Sequence, residues 1–186
     1  MLLAGTVLAM LALVGCAEES TPDRWVVEEL GTHADFRDIF FLDAERGWMV
    51  GGGFDIGGGI LGSTVDGGRN WTFESAIVPP PTKPSSFHLN GVWFLDPDRG
   101  FAVGDGFHIL RTIDGGKHWH RVTRARGGGS WLHDVQFVDD RHGWVVGTGG
   151  LMRTVDGGET WQTPRDPEED GRVPRTTGLA MHFLDR

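Results

Sequence analysis

Tyrosine is absent from this 186-residue chain, and cysteine occurs once, at Cys16. Without tyrosine, this segment cannot supply a phenolic nucleophile. A lone cysteine excludes an intrachain disulfide. Cations are outnumbered: 17 Lys and Arg face 26 Asp and Glu, for a net charge of −9. That balance argues against nucleic acid as a partner, because phosphate binding needs a concentrated cationic surface. The apolar run from Leu2 to Val14 is too short to cross a bilayer as a helix, and no window carries a convincing helical period of apolar residues. Glycine, in contrast, is abundant, with 30 residues and no collagen-like spacing, and there are 8 Trp. Such usage points to many tight turns.

The apolar run ends at the one cysteine and reads as the core of a secretory signal. Leu13-Val14-Gly15-Cys16 resembles a bacterial lipobox. The resemblance implies that Cys16 is lipidated and becomes the mature N-terminus. The membrane is then met through a lipid anchor only, and Ala17 implies sorting to the outer membrane and periplasm. An ordinary signal peptide with an unrelated cysteine is the alternative.

Three octets are nearly the same. They are Thr64-Val65-Asp66-Gly67-Gly68-Arg69-Asn70-Trp71, Thr112-Ile113-Asp114-Gly115-Gly116-Lys117-His118-Trp119 and Thr154-Val155-Asp156-Gly157-Gly158-Glu159-Thr160-Trp161. Their aspartates lie 48 and 42 residues apart, a period that signals a repeat architecture. Before each octet comes an apolar run ending in Asp43, Asp96 or Asp139, then Gly47-Trp48-Met49-Val50-Gly51, Gly100-Phe101-Ala102-Val103-Gly104 or Gly143-Trp144-Val145-Val146-Gly147. A fourth copy begins at Leu179 to Asp185. Each unit reads as four short strands, the last starting at the octet Trp. Within the octet, the Asp carboxylate is expected to accept the N–H two residues on. The glycine pair supplies positive φ, and the Trp packs on the neighbouring unit.

The octet resembles the Asp-box, or bacterial neuraminidase, repeat. The whole unit is most similar to repeats of the photosystem II assembly and stability factor family. The resemblance implies an all-β chain forming part of a β-propeller, with three four-stranded blades and the first strand of a fourth, from a longer, seven-bladed ring. The expected divisions are a signal peptide at 1–15, a linker and closing-blade strand at 16–35 (Arg24 to Leu30 as the strand), blades at 36–82, 83–127 and 128–174, and the start of a fourth at 175–186. A short chain that closes by dimerising is the alternative to a longer parent. By resemblance the function is a non-enzymatic envelope lipoprotein that binds a protein partner or scaffolds assembly. The competing reading is a secreted glycoside hydrolase, sialidase-like or endoglucanase-like, whose catalytic residues lie elsewhere in a longer protein.

Strand alternation puts the second-to-third turns and the blade connections at one end and the Asp-box turns at the other. The first end is the candidate binding face. Its blade-one loop, Gly51 to Gly59, looks longer than its counterparts, with Phe54 and Asp55 at its centre, and its connections gather Arg121, Arg124, Arg126, Arg172 and Arg175. Any aromatic exposed for a ligand, carbohydrate included, should be Phe54, Phe87 or Trp131, which fall outside or at the edges of the repeat pattern. Thr64, Asp66, Gly68 and Trp71, with Thr112, Asp114, Gly116 and Trp119 and with Thr154, Asp156, Gly158 and Trp161, are read as structural, since they recur with the fold. No catalytic residue, metal site or cofactor is expected. His118-x-His120 would share one strand face, yet zinc needs three or four ligands. The glycines around Phe54 precede a strand rather than a helix, so they are not a phosphate loop.

Overall fold

A computed structural model describes residues 30–53, 58–76, 87–124, 131–148, 150–163, 178 and 180–183. Among these there is no helix. Eleven strands run in chain order: β1 (Asp35–Phe41), β2 (Gly47–Gly53), β3 (Gly58–Thr64), β4 (Thr72–Ala76), β5 (Leu89–Phe94), β6 (Gly100–Gly104), β7 (His108–Thr112), β8 (His120–Arg124), β9 (Leu132–Phe137), β10 (Gly143–Gly147) and β11 (Gly150–Thr154). They form three antiparallel meanders, β1-β2-β3-β4, β5-β6-β7-β8 and β9-β10-β11. In the third, the expected fourth strand shows one bridge among the described residues, with Arg153 and Gln162 exchanging backbone bonds of 2.8 and 2.9 Å.

β1 packs beside β5, and β5 beside β9, so the sheets fan outward from their first strands. This is the packing of propeller blades, and the partial propeller expected from the repeats is what the chain forms. The closing-blade strand expected at Arg24 to Leu30 lies almost wholly outside the described residues.

The Gly-aromatic-x-Val-Gly motif is the second strand of each blade. Side chains alternate across it, and both faces are buried. Phe101 and Val103 point to the third sheet while Ala102 points to the first. Trp48, Val50 and Leu61 meet Leu89, Val92 and Phe94 in one core, and Phe101, Val103 and Ile109 meet Leu132, Val135 and Phe137 in the other. Each fully buried Phe or Leu contributes about 1.5–3 kcal/mol, so the interblade seams carry most of the apolar stabilisation.

The glycine closing the motif has a specific cause. The first strand of each blade breaks register where it passes Gly51, Gly104 or Gly147. A Cβ on those glycines would sit 2.1, 2.1 and 2.0 Å from the carbonyls of Asp35, His88 and Trp131. Only a bare backbone fits against the bulge.

The glycine-rich stretch after β2 corrects one expectation. β2 and β3 continue to Gly53 and Gly58, which pair across the hairpin, leaving 54–57 as the connection. The extra length of blade one is extended hairpin more than loop. Gly51, Gly52 and Gly59 run as ladder residues, which alternation of apolar and polar residues cannot reveal.

Candidate functional site

The Asp-box turns are built alike in all three blades. The Thr64 hydroxyl donates to Asp66 Oδ1 at 2.8 Å and accepts the N–H of Gly68 at 3.0 Å. Thr112 repeats this with Asp114 and Gly116 at 2.8 and 2.9 Å, and Thr154 with Asp156 and Gly158 at 2.7 and 2.9 Å. The carboxylate takes the N–H four residues on, from Asn70, His118 or Thr160. The expected bond to the residue two on is thus replaced: the Thr hydroxyl claims that N–H first. Both glycines carry positive φ, 73° and 87° in blade one, as their turn chemistry requires.

The penultimate residue varies, yet its role does not. Asn70 Nδ2 donates to Asp66 Oδ2 at 2.7 Å, Thr160 Oγ1 to Asp156 Oδ2 at 2.6 Å, and His118 Nδ1 lies 2.6 Å from Asp114 Oδ2. These bonds hold the carboxyls of Asp66 and Asp156 down at about 2, the side-chain donors Asn70 and Thr160 being the largest cause. Asp114 is lowered as well, first by the His118 backbone N–H and then by its ring. His118 therefore lies in a turn and not on β8, so it shares no strand face with His120.

A second aspartate in each repeat went unread as a turn-former. Asp43 accepts the N–H of Glu45 and Arg46, and Asp96 and Asp139 do likewise in their blades. The carbonyls of Glu45, Asp98 and Arg141 in these turns accept the N–H of Gly67, Gly115 and Gly157 at 2.8, 2.9 and 3.0 Å. The β1–β2 type turns and the Asp-boxes thereby form one continuous end of the fan.

The opposite end holds the candidate binding face. Here Asp105 joins two blades through its backbone bridge to Trp131, and its carboxylate ties the start of β5. Its Oδ2 accepts the N–H of His88 at 3.0 Å, and its Oδ1 accepts Asn90 Nδ2 at 3.1 Å. Asn90 also donates to the carbonyl of Leu132 in blade three at 2.8 Å and accepts Arg37 Nη1 of blade one at 3.0 Å. One amide side chain thus links three blades. His108 bonds the carbonyl of Asp105 through Nδ1 and meets Arg121 through Nε2. The β6–β7 turn, Asp105 to Phe107, carries positive φ at Gly106 and Phe107, 69° and 57°, as a tight hairpin turn requires.

Of the residues read as this face, Arg121 lies on β8 beside His108, and the Arg124 backbone pairs with His108 at the end of β8. Phe54, Asp55, Arg126, Arg172 and Arg175 lie outside the described residues, as does Cys16. Trp131 is 50% exposed, its backbone bridged to Asp105 and its N–H bonded to Thr148 Oγ1 at 2.8 Å. Phe87 is partly buried against the first core, edge-on to His108.

The inner strands carry one pair that motif reading passed over. Asp38 Oδ2 accepts the N–H of Val92 in the next blade at 2.8 Å, and Asp134 Oδ2 accepts that of Met181 in the following unit at 2.6 Å. Burial pushes the Asp38 carboxyl up to about 6, opposed by its bonds from Val92 and Ile39 and reinforced by the charge of Asp134.

Set beside known proteins, residues 17–127 and 128–177 match the model of the family described as photosynthesis system II assembly factor YCF48. The photosystem II assembly lipoprotein Ycf48 of Synechococcus sp. is 26% identical over 159 residues, covering 82% of this chain and 44% of that protein. The chloroplastic photosystem II stability/assembly factor HCF136 of Cyanidioschyzon merolae is 50% identical over 134 residues, covering 70% of this chain and 30% of that one. The solved structure of YCF48 bound to D1 peptide superposes with a TM-score of 0.63 at 26% identity, over 78% of this chain and 45% of that chain. The chain spans under half the length of the curated relatives it matches.

Proposed function

This chain belongs to the photosynthesis system II assembly factor YCF48 family, and from that membership we propose that it is a non-enzymatic scaffold that holds a peptide segment of a photosystem II protein during assembly. The observation that carries the reading is the likeness to a structure whose occupant is a D1 peptide. The face assigned to the peptide is the end bearing the β6–β7 turn and the blade connections, with Arg121, Arg124, Arg126, Arg172 and Arg175 as cations, Phe54 and Asp55 at the blade-one hairpin, and Trp131 as an aromatic contact. Loops on a rigid scaffold carry binding disproportionately, and the Asn90–Asp105 network makes this end rigid.

The lipobox at Cys16 and the name of the Synechococcus relative, a lipoprotein, support a lipid anchor. In this reading Cys16 is lipidated and the scaffold faces the periplasm from the outer membrane. A lipoprotein's several acyl chains anchor durably where one does not.

Against the glycosidase reading stand the carboxylates themselves. Glycoside hydrolysis asks for two carboxyl groups flanking a bond. The Asp-box carboxylates are engaged within their own turns, and Asp38 and Asp134 each hold a backbone N–H of the next unit.

The test is fluorescence anisotropy of a labelled D1 peptide. The double variant R124E/R126E should weaken binding at least about tenfold, the worth of losing charge-assisted contacts, with the thermal midpoint unmoved. Unchanged affinity would overturn the assignment of the face. Membrane fractionation of C16S checks the anchor: the variant should appear in the soluble fraction.

A further inference from the structure

The end of the fan that bears the Asp-boxes carries a groove that the repeat does not require. It runs between blades two and three, with Trp93, Leu95 and Val138 as walls and Asp139 and Asp140 at its rim. Phe94 and Phe137, both buried in the interblade seams, form its floor. Val138 is 50% exposed. The groove encloses about 240 Å³, below the roughly 300–1,000 Å³ of small-molecule pockets, and suited to one large side chain.

Positions that recur in every blade serve the fold. Departures from the recurrence need another cause. Asp140 stands where the other repeats have Ala44 and Pro97, and Trp93 where they have Phe40 and Gln136. Asp139 already satisfies its own turn by accepting the N–H of Arg141 and His142. Asp140 is exposed and serves that turn only through its backbone, near Gly157. A second carboxylate has therefore been added beside an apolar slot without a folding role among the described residues.

The surroundings fix the sign of the partner. Across the turns 42–46, 65–71, 95–99, 113–119, 138–142 and 155–161, ten Asp and Glu stand against five Lys and Arg. Arg99 among the five is spent on Asp96 at 2.5 Å. The potential over this end is negative, which draws cations and repels acidic chains. An exposed apolar contact rimmed by charge is the common form of a peptide anchor pocket.

We infer that this groove docks an extended peptide presenting one apolar side chain flanked by lysine or arginine: the apolar group enters between Trp93, Leu95 and Val138, and a cation meets Asp140. The site lies at the opposite end from the face assigned to the D1 peptide, and it stands whether or not that assignment holds.

The probe is acetyl-Arg-Leu-Arg-amide, titrated to millimolar concentration into the full 186-residue chain at low ionic strength. The readouts are the NMR shifts of the Trp93 indole N–H and the Val138 amide. Both should move saturably. Acetyl-Glu-Leu-Glu-amide should move neither, and acetyl-Arg-Ala-Arg-amide should bind at least about threefold more weakly for want of the buried methyls. V138R, a substitution at an exposed position, should abolish the shifts. D140N should weaken binding about two- to fivefold, the worth of one exposed charge pair. R124E, at the other end, should leave the titration unchanged. Absence of saturable shifts, equal response to the Glu or Ala peptides, survival of the shifts in V138R, or their loss in R124E would each overturn the proposal.

Discussion

The indole N–H of Trp48, in the first blade, donates to the carbonyl of Gly115 in the Asp-box of the second, at 2.9 Å. The same ring stacks on Phe94 at 3.5 Å between centroids and 9° between planes. One side chain therefore packs a core and caps a turn 67 residues away. Phe101 repeats the packing on Phe137 at 4.8 Å, and Trp144 meets Phe183 at 4.8 Å.

Trp48→Phe keeps most of the ring contact and loses the hydrogen bond. It should destabilise the chain by about 1 kcal/mol. Trp48→Ala empties the seam and should cost about 3–5 kcal/mol. Urea unfolding followed at constant m-value separates the two, and a Trp48→Phe variant as stable as the parent would show that the bond is immaterial.

Gly158 tests the seam from the turn side. A Cβ there would sit 2.3 Å from the ring of Phe101, at a φ of 80°. Gly31 shares a positive φ, 67°, with nothing within 4 Å of an added Cβ. Gly31→Ala should cost only the backbone strain, about 1 kcal/mol. Gly158→Ala should cost well beyond that, since the ring must leave a packed core. Thermal midpoints that fell equally would refute the wedge.

Thr112 is fully buried and holds both Asp114 and the N–H of Gly116. Thr112→Val keeps the shape and strands the N–H, so a loss of about 1–3 kcal/mol is expected. The proposed binding of a D1 peptide should survive in the folded fraction, because Thr112 and Asp114 are engaged in closing a hairpin. A specific loss of binding at full folding, or an activity abolished by Asp114→Asn alone, would assign the octet a direct role.

The carboxyls divide by sign in their response to pH. Asp66 and Asp156, lowered to about 2, contribute stability above an unfolded value near 3.8, and that contribution is lost as pH falls through 2. Asp38, raised to about 6, acts in reverse. Its share is full below about 4 and is lost as pH rises through 6, on the order of 3 kcal/mol by pH 7. Asp38→Asn can still accept the N–H of Val92, so it should flatten the stability curve between pH 4 and 7 and leave the acid limb in place. A curve unchanged by the substitution would place the dependence elsewhere.

What was readable in the chain and what was not differ by range. Strand runs, glycine pairs and Asp-boxes are patterns within about ten residues, and the blades follow from them. The donor role shared by Asn70, His118 and Thr160 was hidden, because three different side chains place a donor near one carboxylate oxygen only after the turn has closed. The paired Asp turns at Asp43, Asp96 and Asp139 recur as plainly as the octets but were masked by their place at the end of an apolar run. Gly51 to Gly59 looked like loop because glycine carries no alternation to read, whereas much of it pairs as strand.

By itself, the sequence determined the repeat, its turns and the acidic balance, since each is set by residues close along the chain and by composition. Only the tertiary structure decided which aromatic stacks on which, that Asn90 ties three blades, that half-buried Asp38 accepts an N–H of the next blade, and that an apolar slot opens beside Asp140. Those relations join residues dozens of positions apart through the rigid geometry of neighbouring sheets. No local pattern encodes that geometry before the blades have packed.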